Sequence, residues 1–453
     1  MIFSGDRLSN GSKHYFFGFH DIVCSDEFGR YVLALETEII DRPPIPGQSV
    51  SVGYISTENG EFTKLSETEA FNFPQGARQQ WIPRTLEFVF NKKNADGWGA
   101  VRMDLGGHVV MEYDRAIYAI SPGGDIAMCL NFERMHRLGG YGYIGIEDVS
   151  QADDAESGVI FIDVKTGNRL DSFSLSEVMA CGDFTVTDAS LHYLTHAVWS
   201  PDGRRVVFLH RYWLPDGGLT TRVLCFNIES RELKLLAVGE YSHSAWQNEQ
   251  SIMIWGRRKS ALDAARSMRG TSARLISPLL AVARKFKRRI TRRALATGRS
   301  SYLRINVLDG SIEPIGVSKL TRDGHPMCNR IYSDWVAVDD YPDAHGVRNL
   351  MLFNFLTEQV THLGSYRKLD ALADMESIEQ AQYGMDPRVL KKFDVNEFAF
   401  TRSGLHCDLH PRWGGDFKHI CFDSIHEGTR QMYWMDVAEF ISGASGGVSS
   451  LSD

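Results

Sequence analysis

Apolar and polar residues alternate in short runs along most of the chain, and turn residues separate the runs. The clearest example is HAVWSPDGRRVVFLHR at 196–211, where Pro201, Asp202 and Gly203 supply turn chemistry between two apolar runs. The second run, at 206–208, is β-branched and aromatic, which is typical of a buried strand. The pattern therefore predicts two short strands joined by a tight turn.

Weaker copies of this unit recur, and with it they number seven. They begin at His20, Arg78, Ile117, His196, His243, His325 and His410. The segments between copies, such as VSVGYISTENGEFTKLS, contain further alternating strands joined by turn residues. A repeat of this kind predicts an all-β fold, a seven-bladed β-propeller of four-stranded antiparallel blades, because a blade cannot bury both faces alone.

The repeats account for most of the chain as a single domain, residues 1–441. The chain has 453 residues, of which 43% are hydrophobic, which is ample for one large core. The last copy lacks an obvious fourth strand, and we expect residues 13–17 to pair with it and close the ring. The tail at 442–453, rich in Gly and Ser, is predicted to be disordered.

Three insertions interrupt the repeats and are predicted to lie on one face. They occupy residues 133–157 in blade three, 257–300 in blade five and 365–405 between blades six and seven. The third contains a helical stretch, LDALADMESIEQAQ, which Pro387 is expected to end. Loops gathered on one face of a rigid scaffold commonly carry function.

The insertion at 257–300 is strongly basic. It holds fourteen Lys or Arg and one acid, Asp263, in a chain whose net charge is −8. Apolar residues at helical spacing predict an amphipathic helix, which suits a membrane surface or a glycosyltransferase partner; a solvated loop is the alternative. We expect no nucleic-acid binding, because the rest of the chain is acidic and the insertion has one aromatic residue.

The cysteines and the terminal sequence suggest a reducing compartment. Seven cysteines are scattered without a CxxC pair, and the first residues lack a basic segment followed by an apolar one. No run is long enough to span a bilayer. We therefore expect a cytoplasmic protein, peripheral at the inner membrane if the basic insertion binds there.

Histidine occupies five of the seven equivalent positions at the start of the copies, namely His20, His196, His243, His325 and His410. In a propeller these positions converge on the mouth of the central channel. One such histidine is more often a structural residue that holds the neighbouring blade. Five of them, with arginines nearby, favour a cluster that binds a metal ion, an anionic ligand or both.

The SPDGR-type turns resemble the propeller repeats of the TolB kind. The HP-rich starts and the histidine ring resemble, more specifically, the oligogalacturonate lyase family. The resemblance implies a seven-bladed propeller that cleaves short uronate oligosaccharides by β-elimination, with a divalent metal ion, typically manganese, held by three histidines and a glutamine. It covers most of the chain by repeat architecture, but few of its motifs are specific.

One family motif has the form Gln-x-x-His-x-His-Pro, and the matching stretch here is LHCDLHP at 405–411. His410 matches the last histidine, whereas Asp408 stands at the other histidine and Leu405 at the glutamine. His406 is displaced by one residue from the Asp408 position and is an alternative ligand. His325, in DGHP, matches the remaining histidine ligand. These departures indicate a divergent relative.

The resemblance implies roles for the other polar residues at the channel mouth. His196 or His243 would be the base, and Arg211, Arg137 or Arg412 would bind the substrate carboxylate. Further substrate contacts are expected from Arg134, His210, His20 and Arg78. The predicted function is metal-dependent β-elimination on a uronic-acid-containing oligosaccharide. The alternative is a non-catalytic propeller that binds an acidic glycan or a membrane-associated partner in surface-polysaccharide assembly.

Overall fold

The computed structural model describes residues 5–182, 189–214, 218–258, 300–369, 379 and 382–442. Short strands dominate, as the alternating pattern predicts. In chain order they are β1 (Asp6–Arg7), β2 (His14–Phe16), β3 (Tyr31–Thr37), β4 (Val50–Ser56), β5 (Phe62–Thr68), β6 (Gln80–Trp81), β7 (Glu87–Lys93), β8 (Trp98–Asp104), β9 (Val109–Tyr113), β10 (Ile117–Ile120), β11 (Ile126–Leu130), β12 (Val159–Asp163), β13 (Arg169–Phe173), β14 (His192–Trp199), β15 (Arg205–Trp213), β16 (Leu219–Asn227), β17 (Leu233–Trp246), β18 (Ser251–Arg258), β19 (Ser301–Asn306), β20 (Ile312–Pro314), β21 (Met327–Cys328), β22 (Trp335–Asp339), β23 (Val347–Asn354), β24 (Val360–Arg367), β25 (Arg412–Trp413), β26 (His419–Ser424) and β27 (Gln431–Asp436).

The strands form five four-stranded sheets and one seven-stranded sheet, and all the pairings are antiparallel. The larger sheet runs from β14 to β20, and its long strand β17 changes partner along its length. The first half of β17 pairs with β16, and the second half pairs with β18. Divided at β17, the described residues contain seven four-stranded units in chain order. We interpret these units as the blades of the predicted β-propeller.

The N-terminal strand closes the ring, but it is not the predicted one. Strand β1 pairs with β27 through Asp6 opposite Trp434 and Arg7 opposite Tyr433. The expectation that residues 13–17 fill this place is wrong, because β2 pairs with β3 as part of the first unit. The chain continues from β2 to a bridge between Ser25 and Val32, so residues 14–25 supply the first unit's interrupted inner strand.

Tryptophan indoles join neighbouring units at the end of four inner strands. Each Nε1–H donates to a backbone carbonyl in the preceding unit at 2.8–3.2 Å. The pairs are Trp81 with Cys24, Trp199 with Ala119, Trp246 with Val198, and Trp413 with Met327. All four side chains are buried, so each one fills the space between two units and also satisfies a buried or partly buried carbonyl.

Four of the described α-helices lie in connections between strands, and the fifth follows β27. They are α1 (Phe132–Gly139), α2 (Leu175–Ala180), α3 (Pro387–Leu390), α4 (Val395–Arg402) and α5 (Ala438–Ser442). Two contacts join the first and third insertions: His136 Nε2 lies 2.7 Å from the Tyr383 carbonyl, and Arg402 donates to the Gly139 carbonyl at 2.9 Å. These two insertions therefore share one face, as predicted.

Pro387 begins a helix rather than ending one. It is the first residue of α3, and the Asp386 side chain caps that helix by accepting from the Arg388 N–H at 2.8 Å. Proline suits a first helical position because its missing N–H would have no intrahelical partner there. The helical stretch predicted before it falls mostly on residues outside the described ranges.

Two further predictions also fall outside the described ranges. Residues 259–299, which contain the predicted amphipathic helix, and residues 443–453, which form most of the predicted tail, are not among them. Among the described residues, no helix is long and apolar enough to cross a membrane.

Candidate metal centre and histidine cavity

The five repeat histidines converge around one aromatic side chain, Phe19. Ring centroids lie 4.4–6.2 Å from that of Phe19 for His20, His196, His243, His325 and His410. The closest histidine pairs are His243 with His325 at 4.1 Å and His325 with His410 at 4.2 Å. The repeat position thus brings together residues that lie up to 390 positions apart in sequence.

Irregular backbone places two of these histidines. The pairing of β14 with β15 shifts register between Thr195 and Val198, and that of β17 with β18 shifts between Tyr241 and Ser244. His196 and His243 lie within these bulges, which redirect side chains out of the regular pleat. His196 and His410 also adopt positive φ angles of 52° and 45°. Such strained conformations cluster at functional sites.

The Nδ1 atoms of four histidines are engaged by oxygen acceptors. His20 and His410 lie 2.8 and 2.7 Å from the carbonyls of Pro326 and Gly18. The carboxylates of Asp339 and Asp323 engage the other two, with His325 Nδ1 at 2.9 Å and His243 Nδ1 at 3.2 Å. Each bond requires the proton on Nδ1, which leaves Nε2 as the lone-pair atom.

This arrangement is the one that metal-binding histidines adopt, because their outer nitrogen usually donates to a carboxylate or a carbonyl. Among the described residues, one group has metal-ligand atoms that all lie within 4.8 Å of one another, and it consists of His325, Asp408 and His410. All three are buried. Two imidazoles and a carboxylate suit a divalent transition metal ion, so the donor set fits the expected cofactor.

Asp408, rather than His406, belongs to this group. Its Oδ1 accepts from Arg348 Nε at 3.0 Å, and its Oδ2 lies 3.0 Å from His406 Nε2. His406 therefore contacts the candidate metal ligand Asp408 but is not itself one of the three candidate ligands. Leu405, at the glutamine position of the family motif, is buried in a hydrophobic cluster and offers no ligand atom.

Burial and neighbouring charges set the protonation of the cluster. Burial, followed by the charge of His325, holds the pKa of His20 and His410 well below the usual range. Burial also opposes the protonation of His325, but the charge and hydrogen bond of Asp339 outweigh it, so the pKa of His325 is raised. For Asp408 the charges of His406 and Arg348 outweigh burial and hold its pKa well below the usual range.

A cavity of about 470 Å³ opens beside the cluster. Four of the five repeat histidines line it, together with Asp408, Tyr141 from the first insertion and a wall from the third insertion. That wall is made of Lys392, Phe393, Glu397, Phe398, Thr401 and Arg402. We call this space the histidine cavity. Its volume lies in the range of small-molecule sites.

Arg211 lines the histidine cavity without an acidic partner among the described residues. It is 7% exposed, its Nη2 donates to the Tyr241 carbonyl at 3.2 Å, and its buried Nε has no hydrogen-bond partner there. Arg402 stands in the same situation: its guanidinium packs over Tyr141 at 4.2 Å, and its Nε is also unsatisfied. Buried guanidinium groups without a counter-ion are suited to bind an anion.

Four arginines proposed as substrate contacts have other partners and do not line the histidine cavity. Arg78 is buried and paired with Asp21 at 2.9 Å, and Arg412 is buried and paired with Asp423. Arg134 and Arg137 pair with Asp148, at 3.4 and 2.9 Å, within the first insertion. These side chains already have counter-ions, so they serve the fold rather than an incoming anion.

Two histidines proposed as substrate contacts also lie outside the lining of the histidine cavity. His210 is buried, with His192 Nδ1 3.0 Å from its Nε2 and Arg222 Nη1 3.2 Å from its Nδ1. His20 belongs to the ring around Phe19, and its buried Nε2 has no hydrogen-bond partner among the described residues. His20 thus remains with the cluster, whereas His210 does not.

Several site residues carry no signal in the repeats. Phe19 precedes a repeat histidine, and Tyr141, Lys392 and Arg402 come from insertions whose path over the cavity no alignment of repeats predicts. The acids behind the imidazoles, Asp323 and Asp339, form part of DGHP and of a strand end. The DGHP motif could have marked Asp323 as the partner of a histidine. Only the fold shows that this histidine is His243.

The fold and the site together define a β-propeller with a histidine-lined candidate metal centre. No protein-family model matches the chain, and no curated protein matches its sequence. Among solved structures it is similar to oligogalacturonate lyase of Vibrio parahaemolyticus, with a TM-score of 0.56 at 12% identity over 97% of this chain and 96% of that one.

A second similar structure is described as oligogalacturonate lyase in complex with manganese. It has a TM-score of 0.57 at 13% identity and covers 98% of this chain and 96% of that chain. The likeness to both structures supports the fold expected from the repeats, that of a divergent propeller resembling oligogalacturonate lyase. At these identities, chemistry has to be argued from the residues of this chain.

Proposed function

We propose that this protein binds a divalent metal ion, manganese in the first instance, and acts by β-elimination on a uronic-acid-containing oligosaccharide. The observation that carries the proposal is the set of imidazoles with engaged Nδ1 atoms beside two arginines that have no counter-ion among the described residues. His325, Asp408 and His410 would hold the metal ion. When bound, it would neutralise a substrate carboxylate as a Lewis acid.

The substrate carboxylates are bound by the unpaired arginines. Arg211 takes the carboxylate of the sugar that reacts, since it lines the histidine cavity together with His196 and His243. Neutralising this carboxylate lowers the cost of charge that develops when the adjacent C–H bond breaks. Arg402, on the wall that the third insertion supplies, binds a second anionic group of the same oligosaccharide.

His243 is the better placed of the two candidate bases. Asp323 accepts from its Nδ1, so Nε2 is the atom that takes the proton, in the manner of an acid-oriented imidazole. Burial and then the charge of His325 lower the pKa of His243, which favours the neutral, basic form at neutral pH. His196 has only the Thr195 hydroxyl at 3.0 Å from Nδ1.

The elimination needs only the substrate, the base and water. The base removes the proton α to the carboxylate, the electron pair forms the carbon–carbon double bond, and the bond to the leaving glycosidic oxygen breaks. Water protonates that oxygen, and the base returns its proton to solvent. The product is an unsaturated uronate, which absorbs in the ultraviolet.

The test combines metal content with turnover. Purified protein should contain stoichiometric divalent metal by elemental mass spectrometry, and a His325→Ala, His410→Ala variant should lose it. Among uronate oligosaccharides, at least one should give ultraviolet absorbance, and His243→Gln should lower that rate by about 10²–10⁴-fold. The control His108→Gln alters an exposed histidine and should leave the rate unchanged.

A non-catalytic propeller is the second candidate. It is favoured by Asp408 and Leu405, which replace a histidine and a glutamine of the family motif, and by the two bonds that already engage Asp408. This protein would bind an acidic glycan in the histidine cavity and a membrane surface or glycosyltransferase through residues 257–300. Tight glycan binding by calorimetry without any ultraviolet product would favour this candidate over the lyase.

A further inference from the structure

A second cavity lies at the other end of the inner strands. It has a volume of about 280 Å³, and the turns between the first and second strands of several units form its lining. Its walls are mainly apolar and aromatic, and they include Ile22, Trp81, Ile120, Trp199 and Phe417. We call it the turn-side cavity. Concave sites whose walls combine apolar side chains with a smaller number of polar groups are typical binding sites.

Three exposed apolar side chains stand next in sequence to residues that line this cavity, and we call them its rim. Phe28, Leu86 and Ile331 are 63%, 44% and 64% exposed, and each is the sequence neighbour of a residue that lines the cavity. They stand in turns, where the clearest repeat of this chain has Asp202, Gly203 and Arg204. Exposed apolar side chains beside a largely apolar cavity are typical of a surface that a partner covers.

The charge at this mouth is locally positive. Arg84 and Arg330 line the turn-side cavity and have no carboxylate partner among the described residues. Three acids also line it. Asp21 is paired with Arg78, and Asp26 is paired with Arg30 at 3.1 Å. The third, Glu27, has no ion pair in the described part of the chain, so two unpaired guanidinium groups face one carboxylate.

We propose that the turn-side cavity and its rim bind a segment of a partner protein, in which an aromatic or aliphatic side chain enters the cavity and carboxylates flank it. A ligand confined to about 280 Å³ would leave the three rim side chains in water, whereas a polypeptide covers cavity and rim together. Arg84 and Arg330 supply the charge that acidic flanks complement. The site is independent of the histidine cavity, which lies at the opposite end of the inner strands.

A random twelve-residue peptide library displayed on phage, selected against the full chain, tests the proposal. Counter-selection uses two variants, Arg330→Glu and Ile331→Asp, whose folding is checked by circular dichroism. We expect enriched peptides with an aromatic or aliphatic residue beside Asp or Glu. Fluorescence anisotropy with these synthetic peptides should show binding that each variant weakens at least about tenfold.

A matched control and a charge exchange make the result specific. Leu356→Asp alters an equally exposed apolar residue that does not line the cavity, and it should bind the peptides as the unaltered chain does. Peptides with Lys in place of their acids should bind Arg330→Glu better than the unaltered chain.

Three results would overturn the proposal. One is the absence of enrichment, and another is enrichment of peptides that bind Ile331→Asp as tightly as the unaltered chain. The third is self-association in analytical ultracentrifugation that Ile331→Asp abolishes, because the occupant of the mouth would then be a second copy of this chain.

Discussion

A histidine at the start of an inner strand acquires its chemistry from the atom that engages its Nδ1. His325 and His243 have carboxylates there, while His410 and His20 have backbone carbonyls. In every case Nε2 is left to meet a ligand or a proton. Residue type alone therefore does not separate a structural histidine from a functional one. The distinction depends on whether Nδ1 is engaged so that Nε2 remains available to a ligand.

Asp339 should set the metal affinity of the centre although it is not in the candidate ligand group. Its carboxylate accepts from the His325 backbone N–H at 2.6 Å and the His410 backbone N–H at 3.1 Å, and it engages His325 Nδ1. In Asp339→Asn an amide N–H replaces one acceptor, so the His325 ring loses its fixed tautomer. We expect manganese affinity to fall about 10–100-fold by calorimetry.

The control for that experiment is Asp436→Asn, which alters a carboxylate that is 66% exposed and far from the centre in sequence. It should bind manganese as the unaltered chain does. Equal affinity in Asp339→Asn would show that the carboxylate does not support the centre.

His419 should stabilise the fold in a pH-dependent way. Burial opposes its protonation, but the hydrogen bond to Asp416 at 2.6 Å and the charge of that carboxylate outweigh burial, so the pKa of His419 is raised above 6.5. Its contribution is therefore present below pH 6.5 and is lost as pH rises through the folded-state pKa.

His419→Gln should accordingly destabilise the protein more in acid than in alkali, by no more than about 1 kcal/mol because the pair is partly exposed. Urea unfolding of the variant at about pH 5.5 and about pH 8.5 measures this difference. His345→Gln alters an exposed histidine and serves as the control. A larger penalty at the higher pH would contradict the assigned sign.

At the scale of the element, an inner strand contributes both a histidine to the cluster and a tryptophan to the contact with the preceding unit. One end presents a histidine toward the cavity, and the other ends in a tryptophan that donates to the preceding unit. Bulges near the first end allow the side chain to turn without interrupting the rest of the strand. The strand is therefore anchored by a hydrogen bond where it contacts the preceding unit and irregular where it presents the histidine.

Trp246→Phe should destabilise the contact between two units. The substitution leaves the partly buried Val198 carbonyl without its donor at 3.0 Å, which costs about 0.5–1.5 kcal/mol. The urea midpoint should fall with an unchanged slope. Trp98→Phe is a matched control, because the buried Trp98 indole N–H has no partner among the described residues. An equal loss in both variants would assign the effect to packing alone.

At the scale of the whole molecule, the site and the ring closure depend on the same long-range contacts. The candidate ligands come from the connections before β21 and β25, while β1 pairs with β27 across the sequence ends of the fold. His20 and His410 join the first and last repeats around Phe19. A metal ion held by His325, Asp408 and His410 would therefore join the sixth and seventh units next to this closure.

Manganese should raise the thermal unfolding midpoint of the intact chain. At a concentration 100-fold above the dissociation constant, binding to the folded state alone contributes about 2.7 kcal/mol. The His325→Ala, His410→Ala variant should show no such rise in a differential scanning calorimeter. A rise of the same size in that variant would place the metal ion elsewhere.

The repeat pattern by itself determined the sheet architecture and the histidine cluster. Alternation of apolar residues with turn chemistry is a local property, and it defines short strands wherever it recurs. Five histidines at one repeat position must meet if the repeats are arranged about one axis, and they do. The prediction of the closing strand was wrong because the apolar pattern of residues 14–16 suits a strand of either the first or the last unit. The structure places these residues in the first unit and uses β1 to close the ring.

Only the tertiary structure decided which charged residues face the histidine cavity. Four arginines near repeat positions are held by carboxylates that lie 11–57 residues away in sequence, namely Arg78, Arg134, Arg137 and Arg412. Arg211, by contrast, has no ion pair with an acid in the described part of the chain. Arg402 arrives on an insertion helix that the repeats do not place. An arginine's partner depends on which distant segments fold against it, and a repeat pattern carries no information about that.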